Sequence, residues 1–190
     1  METAKSSLVH YVVDTRASRF TVQAFATGIL SAMGHNPTIG IRDFSGGVDF
    51  SPESLQGSGF SLSVNTASMS VQDDISDKDR REIERMMNDQ VLETAKYPEV
   101  LYEAPIVSIA KLGESLYTAN LDGNLTLHGI TRRRPITARI ALYGAMLRAS
   151  GDFTLDQSDY QIKPFSFAGG ALKLKDQIKL TFEMVAREQA

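Results

Sequence analysis

Apolar and polar residues alternate along most of this chain, the pattern of strands that bury one face. In one run Phe44, Val48 and Phe50 share a side with Gly46, and in the next Phe60, Leu62 and Val64 do the same. Tyr117, Ala119, Leu121, Leu125 and Leu127 keep one parity through an unusually long strand. Ile136, Ala138, Ile140 and Leu142 do so in another, and Ile178, Leu180, Phe182 and Met184 close the chain in the same way. Phe20 and Val22 begin the pattern after a short Tyr11-Val12-Val13 strand. Turn chemistry separates the runs at Ser51-Pro52-Glu53-Ser54, Gly57-Ser58-Gly59, Lys111-Leu112-Gly113-Glu114 and Asp156-Gln157-Ser158-Asp159.

Strands of about ten residues exceed the usual length of roughly five or six. Long sequential strands need protected edges, and closure removes edges altogether. The predicted fold class is therefore all-β: one domain over 1–190, an antiparallel barrel of about eight strands.

One segment changes period. From Ser76 to Ala95 the spacing is helical, with Ile83, Met86, Met87 and Val91 on one stripe and Leu92 beside it. Ser76 is an N-cap, Asp77 and Asp79 suit the positive end of the helix dipole, and Pro98 ends the segment. The other face is charged, which makes this an amphipathic helix packed on the sheet.

Composition narrows the function classes. The chain has 190 residues, 42% of them hydrophobic, and a net charge of −3, which is no footprint for nucleic acid. Cysteine is absent, so disulfides and thiolate chemistry are excluded. No stretch reaches the ~18 apolar residues of a membrane-spanning helix. Met1 to Ser7 show no basic stretch followed by an apolar one, which points to the cytoplasm.

An eight-stranded barrel is either filled by its side chains or holds one ligand. Tryptophan is absent, and the inward rows include Ala119, Gly123 and Ala138 beside larger aliphatics. Such a lining favours an apolar guest, but periodicity alone leaves the filled and hollow barrels evenly matched.

Several motifs bear on that choice. Tyr11-Val12-Val13-Asp14 followed by Ser18-Arg19-Phe20-Thr21-Val22 resembles the first hairpin of the YceI-like family. Phe44-Ser45-Gly46-Gly47-Val48-Asp49-Phe50 resembles its second signature, and Tyr97-Pro98-Glu99-Val100 its Tyr-Pro turn after a helix. The most specific is Gly123-Asn124-Leu125-Thr126-Leu127-His128-Gly129-Ile130-Thr131-Arg132. Two segments depart: Gln161-Ile162-Lys163-Pro164-Phe165 replaces a Phe-Gly strand, and Met33-Gly34-His35-Asn36-Pro37 is similar to a divergent branch.

The resemblance implies a lipocalin-like barrel that binds a long isoprenoid chain, with no cofactor beyond the bound lipid or an isoprenoid quinone. On that reading the lining comes from Phe20 and Val22, Phe44 and Val48, Leu62 and Val64, and Leu125 and Leu127. Ile83, Met86 and Met87 would form a lid, and His128 would fix a turn or meet the ligand's polar end. The partner is then a long-chain apolar lipid; homodimerisation is left open.

Two other classes stand beside this one. A hydrolase or isomerase would use His128 with a nearby carboxylate facing a pocket. A metal- or haem-binding redox partner would bring His35 and His128 together. No Gly-x-Ser-x-Gly elbow or His-Glu-x-x-His helix is present. The Arg132-Arg133-Arg134 run reads as a solvated hairpin turn, with a lipid phosphate as the rival.

Overall fold

The computed structural model describes residues 8–27, 36–167 and 172–189. The alternating runs become strands β1 (Val9–Val13), β2 (Arg19–Gln23), a short β3 (Ala26–Thr27), β4 (Thr38–Ile41), β5 (Phe44–Phe50), β6 (Gly59–Asn65) and β7 (Met69–Val71). After helix α1 (Asp77–Met86) come the long strands β8 (Glu99–Lys111), β9 (Leu116–Leu127), β10 (Ile130–Tyr143) and β11 (Met146–Asp156). The short β12 (Ser166–Phe167) and β13 (Leu172–Leu174) precede β14 (Gln177–Glu188). In β9 every second residue from Tyr117 to Leu127 is buried, so the expected parity holds through the whole strand.

β1, β5, β6, β8, β9, β10, β11 and β14 pair antiparallel in that order, and β14 pairs back onto β1 through Ala186 and Val13. The eight-membered ring is closed. Three of its walls are strands broken in the middle. β1 lies against Ala186 to Glu188 of β14 and β2 against Lys179 to Glu183 of the same edge. β5 and β4 pair with β1 and β2, and β6 and β7 pair with β5 and β4 in turn. Where the first wall breaks, the Asp14 carboxylate accepts from the Arg16 and Ala17 amides, and Ser18 Oγ exchanges hydrogen bonds with the Val185 backbone. At the third break Asn65 caps a 3-10 turn over Thr66–Ser68.

The third wall stops early. β8 takes the free edge of β6, from Gly59 to Asn65, whereas β7 ends the sheet order with an unpaired edge. Helix α1 lies against that edge. It begins as the sequence indicates, with Ser76 Oγ accepting from Asp79 N at 3.1 Å. It is shorter than the expected 76–95: α-helix ends at Met86, Met87–Val91 form a π turn, and Glu93 leaves the helix with φ 46°. On a regular helix Met86 and Leu92 would point about 120° apart. The wider turn turns both toward the barrel interior.

The Asp156–Asp159 segment also differs from the expected turn. Asp156 ends β11, and Gln157–Tyr160 form a 3-10 helix that buries Gln157 and Tyr160.

Gly123 on β9 permits a contact that fixes the barrel's cross-section. A Cβ there would stand 2.4 Å from Ala104 Cβ and 2.7 Å from the Tyr102 ring. Its absence lets the Tyr102 ring cross β9, so that the phenol donates to the Arg134 carbonyl on β10 at 2.9 Å. Gly123→Ala should therefore destabilise the fold by about 1–3 kcal/mol, lowering Tm by about 2–4 °C per kcal/mol in a thermal melt. An unchanged Tm would refute the contact.

A two-chambered lumen as the candidate functional site

The inward rows do not fill the barrel. A narrow chamber of about 120 Å³ lies in its middle, bordered by Val48, Leu62, Leu121, Ala138 and Ala149 among others. A wider one of about 430 Å³ lies beneath the helix, bordered by Ile39, Val71, Leu127, Leu155 and Ile178. Ile41, Val64, Val100, Leu125 and Leu180 border both, so the chambers abut across this waist. Engineered apolar cavities of about 150 Å³ already take up benzene, and ligand pockets run from roughly 300 to 1,000 Å³. From Leu121 to Leu127 the lumen follows β9 for roughly 20 Å.

Space inside explains an otherwise odd burial pattern. Phe60, Leu62, Leu180 and Phe182 face inward yet are only partly buried, because each borders on a chamber. No residue of α1 is fully buried either. Ile83, Met86, Met87, Val91 and Leu92 present their apolar side to the wide chamber instead of to packed protein.

Ten of the expected lining and lid residues border the lumen. Phe20, Val48, Leu62, Val64 and Leu125 line the narrow chamber, while Val22, Leu127, Ile83, Met86 and Met87 line the wide one. Two do not. Phe44 faces inward but is packed within the core, bordering neither chamber, its ring edge-on to Phe20 at 4.8 Å, and so it supports a lining residue. His128 lines neither chamber, for reasons given below. Sequence reading passed over Val100, Tyr102 and Ile106 of β8, whose alternation carries the same period-two signal. It also passed over Asp73 and Gln157, which no periodicity marks.

A family model described as the YceI-like domain matches residues 11–186. This chain belongs to the YceI-like family. Its fold is similar to that of BcnA from Burkholderia cenocepacia, with a TM-score of 0.70 at 18% identity over 91% of this chain and 98% of that one. A polyisoprenoid-binding domain from Saccharophagus degradans, implicated in plant cell wall breakdown, gives a TM-score of 0.70 at 16% identity, covering 96% of this chain and 100% of that one. A Campylobacter jejuni YCEI protein gives 0.61 at 18% identity, over 83% and 88% of the two chains. No curated protein sequence matches the chain.

In this YceI-like barrel the free edge of β7 is satisfied by side chains. Glu84 Oε1 accepts from Val71 N at 2.9 Å, and the Arg80 guanidinium donates to the carbonyls of Val71 and Asp73. Spaced four apart on α1, the two residues occupy the place of a neighbouring strand.

His128 and Gly129 form the two-residue β9–β10 turn, with φ of 51° and 73°, as a type I′ hairpin requires. A Cβ on Gly129 would stand 2.7 Å from the Tyr97 ring. His128 Nε2 bonds Glu93 Oε2 at 2.9 Å, and its ring packs on Tyr97 at 4.1 Å. A carboxylate is therefore within reach of His128, but the pair clamps the hairpin to the end of the helical segment and lies outside the lumen. His35 lies outside the described residues, so its pairing with His128 has no geometry here.

The arginine run lies within β10 and not in the turn. The Arg133 guanidinium makes two 2.6 Å bonds to Asp122 and holds its carboxyl below the usual carboxylate range. Arg132 donates to the Asp159 carbonyl and Arg134 to that of Thr154. All three are committed to protein partners.

Burial, with a smaller contribution from nearby Asp122, pushes the Tyr102 phenol up to about 12 from 10.0. The folded protein therefore keeps this proton where the unfolded chain sheds it, and stability falls as pH rises from 10 toward about 12. Tyr102→Phe should flatten that decline in urea titrations at stepped alkaline pH; an identical decline would reject the assignment. For the β7 edge, Glu84→Ala should speed hydrogen exchange at the Val71 amide by roughly tenfold, as expected for one lost hydrogen bond. Unaltered protection there would mean that Glu84 does not hold the edge.

Proposed function

We propose that this protein carries or stores an isoprenoid-type lipid, an isoprenoid quinone being one form, with the tail desolvated in the two-chambered lumen. The observation that supports this reading is the lumen's chemistry: a roughly 20 Å apolar channel, comparable to the ~15 Å hydrocarbon depth of one membrane leaflet. At roughly 25 cal/mol per Å² of apolar surface removed from water, a chain that fills it gains many kcal/mol. The polyisoprenoid-binding description of the Saccharophagus degradans neighbour points the same way.

In this reading α1 is the cover of the lumen. Met86 and Met87 supply adaptable thioethers against a tail whose branching they must follow. The helix is attached to β7 through the Arg80 and Glu84 side chains, which part more readily than a strand ladder. Catalysis by His128 has the Glu93 carboxylate in its favour, but neither chamber of the lumen is bordered by that pair.

Native mass spectrometry of the purified protein, followed by organic extraction, should reveal a bound lipid or uptake of added geranylgeraniol. Ala149→Phe, which projects a ring into the narrow chamber, should reduce occupancy by long tails while farnesol still binds. Protein that stays lipid-free under both conditions would end the proposal.

A further inference from the structure

Polar side chains are sparse along the lumen, and their placement orients a guest. In the narrow chamber the Tyr102 hydroxyl is spent on the Arg134 carbonyl. Thr21 and Thr181 border the same chamber, but they alternate with the inward Phe20, Val22, Leu180 and Phe182, which turns their hydroxyls outward. Among the described residues bordering the wide chamber, Asp73 and Gln157 carry the polar side chains.

Both of these side chains are held, and each presents an acceptor. Asp73 Oδ2 accepts from Thr38 N at 2.9 Å, and its main-chain carbonyl is gripped by Arg80. With Oδ2 engaged, Oδ1 is the carboxylate oxygen left to meet a guest in the chamber that Asp73 borders. Gln157 is 7% exposed, and its Nε2 donates to the carbonyls of Lys175 and Asp176 at 3.1 and 3.2 Å. Two carbonyl partners fix which end of the amide is nitrogen. The free end is therefore Oε1, a second acceptor.

From this we infer that the guest is a hydroxyl-headed isoprenoid, a prenol or a quinol, with its head beneath α1 at Asp73 and Gln157 and its tail in the narrow chamber. The inference rests on the lipid-binding reading above and narrows it by chemistry. A hydroxyl supplies a donor that one of these acceptors can take, while its own oxygen asks nothing of the other. A quinone brings only acceptors, and a phosphate sets an anion against a carboxylate in an apolar enclosure, where charge repulsion is strong. Polar groups left unpaired in a buried site are what make such discrimination large.

The test compares geranylgeraniol, geranylgeranyl phosphate and a menaquinone with the same tail, by competition against a fluorescent lipid. The native chain should bind the alcohol roughly tenfold or more tightly than either of the others. Asp73→Asn keeps an oxygen for Thr38 N and turns the other atom into a donor. It should narrow the gap by improving phosphate and quinone binding, with circular dichroism confirming an unchanged fold. Equal binding of all three by the native chain, or tightest binding of the phosphate, overturns the head-group assignment and leaves lipid carriage standing. Failure of all three to bind removes lipid carriage itself, and the assignment with it. The native-chain comparison decides the matter even where the variant does not fold.

Discussion

The edge of β14 is shared between two partners, and the barrel's form follows from that division. Its last residues close the ring on β1, while its first half holds β2. Because β1 and β2 are two halves of one broken wall, every wall built outward from them inherits a break, down to β6 and β7. The breaks let the barrel widen at one end while Asp14, Ser18 and Asn65 accept from amides beside the breaks. That widened end is where the larger chamber lies. Its last wall is too short to reach β8, and the helix is needed to complete it.

The helix in turn is held by a form of contact unusual for a sheet. Arg80 and Glu84 offer one donor group and one acceptor to a strand edge that expects a ladder. Beneath them the apolar stripe meets empty space, which is why the helical segment buries no residue fully despite a strongly amphipathic sequence. Amphipathicity here marks a surface facing a cavity.

Parity was readable wherever one face of a strand is buried, because a one-residue slip would turn that face to water. Leu116–Leu127 is the clearest instance, and the lining positions on β2, β5, β6 and β9 follow from it. β8 carried the same alternation from Val100 to Ile106, with Pro105 at an outward position, and the bulge between Ile106 and Ser108 ends it. Other features had no local signal. Whether the inward rows meet or leave a gap depends on the distance across the barrel. The π turn depends on what Met87 and Leu92 face. His128 stood out in the sequence for its chemistry, yet its backbone angle and its Glu93 partner come from tertiary contacts. Asp73 and Gln157 were silent for the opposite reason: loop polar residues look alike until a cavity stands beside them.

The free edge of β7 has one more consequence, for solubility. Any motion that lifts α1 away bares unpaired backbone groups beside a newly opened apolar surface, the combination that templates edge-to-edge association between molecules. The exposed strand is only Met69–Val71. Three residues are too few to seed a stable intermolecular ladder, and the charged partners that vacate the edge remain close by on the same helix. A short closing strand thus keeps the edge beneath α1 from being a site of aggregation.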